Sequence, residues 1–258
     1  MRAAGFIDYY GSREGVRFLT RQAVSLIAAA VVLFALFGST DLDRIITHSF
    51  YDTARGGFPL TNEWWLKTVL HDAARTTSTL GVLALVSAAV SAWFMPRPML
   101  AHRARHELAF VAVAALSAVA SVAVMKHSSG HACPWDIVEF GGAVPYRHLL
   151  APHGTLAAIQ GCFPAAHPLV GYGWLGVAFA LYPRAPRWAF VTASATLVAG
   201  TGLGIVQVMR GAHFLSHVLW TAWAVWAIDL ALLCLFGALG RRPASNPQPN
   251  GRRRSTWR

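Results

Sequence analysis

The stretch VQVMRGAHFLSHVLW, Val206 to Trp220, decides how this chain is read. It places Arg210, His213 and His217 at the junction of two long apolar runs. Ionisable groups at bilayer depth are costly to insert and usually serve a function. Arginine and histidine near an interface also snorkel to headgroups with no further role, so the remainder of the chain has to choose between these readings.

Composition sets the class. The 258 residues are 55% hydrophobic and only 13% charged, with a mean hydropathy of +0.44. That is too apolar for an ordinary soluble domain and points to an integral membrane protein. The formal charge of +11, from 22 Lys and Arg against 11 acids, raises nucleic acid as a partner. In a membrane protein the same excess more often marks cytoplasmic loops and tails. The three cysteines, Cys133, Cys162 and Cys234, lack the close pair spacing of a structural zinc site.

Working outward, the apolar pattern predicts six transmembrane helices, an all-α polytopic fold, at about 21–38, 76–94, 107–125, 168–182, 188–209 and 214–236. Ala23 to Phe37 lacks a clear cleavage pattern and reads as a retained span, not a signal peptide. The expected organisation is a cytoplasmic tail over 1–20, a membrane domain over 21–238 and a basic, disordered cytoplasmic tail over 239–258. The loop 39–75 carries Asp41, Asp43, Asp52, Glu63, Asp72 and the Trp64-Trp65 pair, and has room for one short interfacial helix. The loop 126–167 is rich in Gly, Pro and His, and a loop of that length is usually functional or disordered.

Charge tests this topology. Six spans put both termini on one side, and that side collects fifteen of the 22 Lys and Arg residues. By the positive-inside rule that side is cytoplasmic, which explains the basic excess and leaves nucleic acid without support. Both long loops and the Arg210 turn then fall on the outer face, with nine of the eleven histidines. Lys126, His127, His131, Arg147, His148, His153, His167, Arg210, His213 and His217 gather there against few acids, Asp136 and Glu139 being those of the long loop. Such a set suits an anion. Arginine and lysine grip phosphate oxygens, an unprotonated histidine attacks phosphorus, and a protonated one gives its proton to the leaving oxygen. No metal is needed for that chemistry.

Three motifs sharpen the reading. Lys126, six residues, then Cys133-Pro134 resembles the first motif of the type 2 phosphatidic acid phosphatase (PAP2) superfamily, usually Lys, six residues, Arg-Pro. Pro164-Ala165-Ala166-His167 resembles its Pro-Ser-Gly-His motif, and Arg210, six residues, His217 resembles its third. Cys133-Pro134-Trp135-Asp136 is similar to a bacterial branch carrying Cys-Pro-Trp-Asp at this point. The resemblance implies a lipid phosphatase or phosphotransferase of the bacterial inner membrane, without cofactor, acting on a lipid phosphate or diphosphate at the periplasmic face. It implies His217 as the nucleophile forming a phosphohistidine, His167 as the acid, and Lys126 and Arg210 as phosphate ligands.

The chain also departs from the pattern. Cys133 stands for an arginine, Ala165 and Ala166 for Ser-Gly, the Arg-to-His spacing is one residue longer, and Thr221 stands where an acid would orient His217. Asp136 is the candidate replacement and His213 a supporting residue; Asp229, three turns deeper and about 18 Å along a helix, is too far. Cys133 and Cys162, both on the expected oxidising face, are a candidate disulfide that closes a loop of about thirty residues. Two other functions compete: a non-catalytic protein of the same fold that binds lipid phosphates, and a His-rich metal-binding or transport protein using His213 and His217 at i and i+4.

Overall fold

The computed structural model describes residues 5–94, 102–149 and 161–239. The prolines after Met95, His153 and the basic tail from 240 onward lie outside the described residues. Among those described, the chain is α-helical, with short 3₁₀ turns and two isolated β-bridges in its loops. The helices are α1 (Phe6–Gly11), α2 (Arg13–Phe37), α3 (Leu42–His48), α4 (Ala74–Phe94) and α5 (His102–His127). After the long loop come α6 (Leu169–Tyr172), α7 (Leu175–Leu181), α8 (Pro186–Met209) and α9 (Leu215–Leu239). A π-helix, Trp65–Ala73, runs directly into α4.

Five helices are long and apolar enough to cross a membrane: Arg13–Phe37, Trp65–Phe94, Ala104–His127, Pro186–Met209 and Leu215–Leu239. Many of their large apolar side chains face outward, among them Ile27, Val31, Phe94, Val124, Phe190 and Val198. In water such surface would be a liability, whereas in hydrocarbon it is the natural exterior.

Three boundaries differ from the sequence reading. The segment expected as a fourth span, 168–182, is broken into α6 and α7 at Gly173-Trp174, and much of it is buried by α5, α8 and α9. The second crossing begins at Trp65, because the π-helix continues the coil through a region expected to be loop. Residues 6–20, expected as a tail, form α1 and the start of α2. Phe6 and Tyr10 are fully buried, and the Tyr10 hydroxyl donates to the Phe179 carbonyl at 2.7 Å. The aromatic side chains of FIDYYG cap the core at this end, a role their interfacial look does not reveal.

Small residues set the close crossings. A Cβ on Gly200 would come within 2.2 Å of the Tyr172 ring, and one on Gly204 within 2.2 Å of the Val218 side chain. Glycine lets α6 meet the α8 backbone, where a Cβ on Gly171 would lie 2.2 Å from Gly200 N, and lets the Val218 side chain of α9 seat against α8. At the far end from the Arg210 turn, the Arg184 guanidinium pairs with Glu107.

Candidate active site

The site is built where four elements end together. Lys126 lies in the last turn of α5, His167 precedes α6, Arg210 caps α8, and His217 sits in the first turn of α9. The junction of α8 and α9 is set by local chemistry and by a cap from another segment. Gly211 takes φ +75°, and Phe58 occupies the space a side chain at 211 would need, 2.3 Å from its Cβ position. The start of α9 is capped from another part of the chain, since Asp43 accepts from the Ser216 backbone N–H at 2.9 Å. Burial pushes the Asp43 carboxyl up to about 6, against the lowering effect of its hydrogen bonds to Ser216 and Leu215.

The segment carrying the second motif is fastened to the first and the third. Gly161 and Cys162 donate backbone N–H bonds to Ser129 and His131, and Cys133 and Cys162 are joined by a disulfide. Ala165 N–H donates to the His217 carbonyl at 3.1 Å, and the Thr221 hydroxyl donates to Ala165 O at 2.7 Å. Thr221, at the position where the resemblance leads one to expect an acid, therefore ties backbones together and does not orient a ring.

His217 is 3% exposed and ringed by His213, His131, Phe163 and Phe214, with ring centroids 5.8, 6.4, 5.3 and 5.3 Å away. Its Nδ1 is buried without a hydrogen-bond partner among the described residues. Neither Asp136 nor any other described acid holds that nitrogen. Asp136 instead lends its backbone carbonyl to Ala143 and Val144 in the loop turn. His213 Nδ1 lies 3.3 Å from Cys162 Sγ, and burial, then the Lys126 ammonium, lowers its pKa to about 3.

Arg210 is held by residues that the sequence reading did not single out. Its Nε donates to the Thr61 carbonyl and one Nη to Gln207 Oε1, both at 3.0 Å, while the Thr61 hydroxyl donates to the Arg210 carbonyl. Burial disfavours the charge of Arg210, and Asp72 favours it.

His167 sits under the π-helix. Its Nε2 is 3.0 Å from the Leu70 carbonyl, and its ring stacks on His71 at 4.4 Å and 26°. His71 Nδ1 in turn meets Asp72 Oδ1 at 2.8 Å. Burial, then His71, lowers the His167 pKa to about 4, and Arg210 and Arg75 add to the effect. His71 and Asp72 were missed because they belong to a stretch read as loop; an adjacent His-Asp pair beside a span was the available signal. Outward of them, Asp72, Arg75, Thr76, Thr79 and Leu80 line a cavity of about 320 Å³. A larger apolar cleft of about 500 Å³ includes Leu219, Trp223 and Trp226, on the side of α9 away from His217, and lies apart from this chemistry.

Comparison with known proteins now bears on the arrangement. The sequence model of the PAP2 superfamily matches residues 107–241, half of the chain, and the match contains Lys126, His167, Arg210, His213 and His217. The chain belongs to the PAP2 superfamily. No curated protein and no solved structure matches it. For a PAP2 superfamily member with five long apolar helices, a membrane protein of the phosphatase type is the class supported. In this member Thr61, one of the two residues clasping Arg210, and Asp43, which caps α9, come from before the matched region, as do His71 and Asp72.

Proposed function

We propose that this protein hydrolyses, or transfers, the phosphoryl group of a lipid phosphate or diphosphate at the periplasmic face of a bacterial inner membrane, with both termini cytoplasmic. The observation that carries the reading is the convergence of a half-buried Lys126 with buried Arg210, His167, His213 and His217 at one end of the helices, in electrostatic contact. Such a set neutralises phosphate oxygens and offers a nitrogen to phosphorus.

In this reading Lys126 and Arg210 hold the phosphoryl oxygens, and a nitrogen of His217 attacks phosphorus. Its Nδ1 is buried with no hydrogen-bond partner among the described residues. The N–P bond forms as the P–O bond to the lipid breaks, and the departing oxygen takes a proton, the role the superfamily resemblance gives to His167. Water or a second lipid hydroxyl then attacks the phosphohistidine and frees His217. No metal enters any of these steps.

The direct experiment measures phosphate release in EDTA from phosphatidic acid, phosphatidylglycerol phosphate and an isoprenoid diphosphate. His217→Ala should abolish release and His167→Ala should reduce it strongly. Activity that persists in both variants, or that requires added divalent metal, would falsify the mechanism. The altered second motif and the low exposure of His217 favour one other reading, a PAP2-fold protein that binds lipid phosphates without turning them over. Wild-type turnover lost in His217→Ala excludes that reading. A metal site has one candidate among the described residues, Cys133, Cys162 and His213, but its two sulfurs are bonded to each other and so offer no thiolate.

A further inference from the structure

The large apolar cleft on the face of α9 away from His217 has the form of a lipid site. Its walls are α2 and α8, and its floor is α7 and α9. The α2 wall packs on α9, and the α8 wall packs on α7 and α9, so both are seated on the floor helices. From Pro186 to Leu197 the α8 wall runs about 16 Å at about 1.5 Å per residue, close to the depth of one leaflet of a hydrocarbon core of about 30 Å. Phe190 and Leu197 on this wall are 74% and 43% exposed, so the cleft opens sideways to where lipid chains lie.

Its polarity is graded along its length. Toward the end nearer the site the lining is Ala29, Val32, Leu33 and Leu219, all apolar. At the other end stand Gln22 and Tyr182. Trp226 Nε1 donates to Gln22 Oε1 at 3.0 Å, which fixes the amide and leaves its NH₂ group to donate elsewhere. Trp223 engages its N–H with the Leu26 carbonyl at 2.9 Å, so both indoles offer apolar surface to the cleft.

Arginines surround the polar end. At about 100° per residue, Arg21 falls on the same face of α2 as the lining residues Phe18, Gln22 and Val32, and it is exposed. Arg187, also exposed, follows Pro186 in the first turn of α8, and Arg13 and Arg17 continue the positive charge along α2. Asp8 and Glu14 are the acids of α1 and α2 at this end, and Glu107 is paired with Arg184. An apolar slot one leaflet deep, with an amide and a phenol at the ester level and cations at the headgroup level, matches a phospholipid of negative charge. A zwitterionic lipid would fill the slot equally well but gain little from the arginines.

We propose that this cleft holds one anionic phospholipid of the leaflet opposite the site, its acyl chain between α2 and α8 and its phosphate on Arg21 and Arg187. The lipid braces α9, the helix that carries His217, from the side away from the reaction. It is a resident ligand and not a substrate, because its phosphate sits at the opposite end of the bundle from His217.

The test is native mass spectrometry of the full chain, stripped of lipid in detergent and then given phosphatidylglycerol or phosphatidylcholine of the same chain length. Wild type should retain one phosphatidylglycerol, with an affinity roughly 20–30-fold above that for phosphatidylcholine, about fivefold for each arginine. Arg21→Gln with Arg187→Gln should bring phosphatidylglycerol down to the level of phosphatidylcholine. Ala193→Phe, which puts a ring into the slot from the α8 wall, should abolish retention of both lipids. The rise in melting temperature that phosphatidylglycerol gives wild type should vanish in the same variant. If one variant does not fold, the other carries the test. Equal retention of the two lipids by wild type, several lipids bound with no first tight one, or phosphatidylglycerol held by either variant as by wild type would overturn the proposal. None of these readouts depends on turnover.

Discussion

Thr221 and Asp43 show how single side chains set the site without touching a substrate. The Thr221 hydroxyl donates to Ala165 O, with the His217 carbonyl 2.8 Å away, and both residues are fully buried. Thr221→Val keeps the shape and removes the donor, which should cost about 1–3 kcal/mol, the penalty of an unsatisfied buried carbonyl. A melting curve in detergent that does not shift would refute this account of the threonine. Asp43 makes a pH signature. Its carboxyl is pushed up from the usual 3.8 to about 6, so the folded state holds this proton more tightly than the unfolded chain. The associated stability is fully present below pH 3.8 and is lost as pH rises through about 6. The change is on the order of 3 kcal/mol. His167, lowered to about 4, acts in the opposite sense, its contribution being present above 6.5 and lost as pH falls through about 4. It is common to wild type and Asp43→Asn, so it cancels in their difference. The melting temperature of wild type relative to Asp43→Asn should therefore fall between pH 4 and 6.5, and a flat difference would show that Asp43 does not titrate in this way.

Among the helices, α8 makes the clearest test of what its glycines do. Gly200 faces the Tyr172 ring at a distance no Cβ tolerates, whereas a Cβ on Gly202 would meet nothing within 4 Å. The close contacts of α8 belong to Gly200 and Gly204, and Gly202 between them makes none. Gly200→Ala should destabilise by about 1–3 kcal/mol through overpacking of the α6–α8 crossing. Gly202→Ala should be neutral or stabilising by up to about 1 kcal/mol, since alanine is the better helix former. Thermal unfolding of the two variants side by side decides it, and equal effects would mean that α8 does not meet α6 as described. The same crossing explains why α6 and α7 are short: α6 meets the backbone of α8 at Gly171 and Gly200, and the chain turns at Gly173-Trp174 within the bundle.

Over the whole molecule, the disulfide, the clasp on Arg210 and the cap on α9 join stretches that are remote in sequence. Cys133 and Cys162 close a loop with a separation of 29 residues. In the chain-entropy model that is worth roughly 3–4 kcal/mol. Cys133→Ser with Cys162→Ser should lower the melting temperature and abolish its sensitivity to dithiothreitol, while leaving the helix content by circular dichroism unchanged. A wild type indifferent to reductant would count against the bridge holding the first and second motif segments together. Phosphate release should fall in the same variant, because the loop supports His217 through Phe163 and through the Ala165 backbone.

Hydropathy is a property of consecutive residues, and the sequence alone therefore determined the α-helical membrane class and five of the long spans. Charge and motif order brought forward Lys126, His167, Arg210, His213 and His217, because residues at the ends of successive spans have few places to be. What the sequence left open depends on contacts across many residues. Asp43 caps a helix 173 residues away, Arg210 is held by Thr61 across 149, and His167 meets Leu70 across 97. No local period encodes such pairs, since they follow from how the helices pack. Packing also turned the expected tail into the core residues Phe6 and Tyr10, and divided an expected span into α6 and α7. It also stacked the His71 ring on that of His167, 96 positions further along the chain.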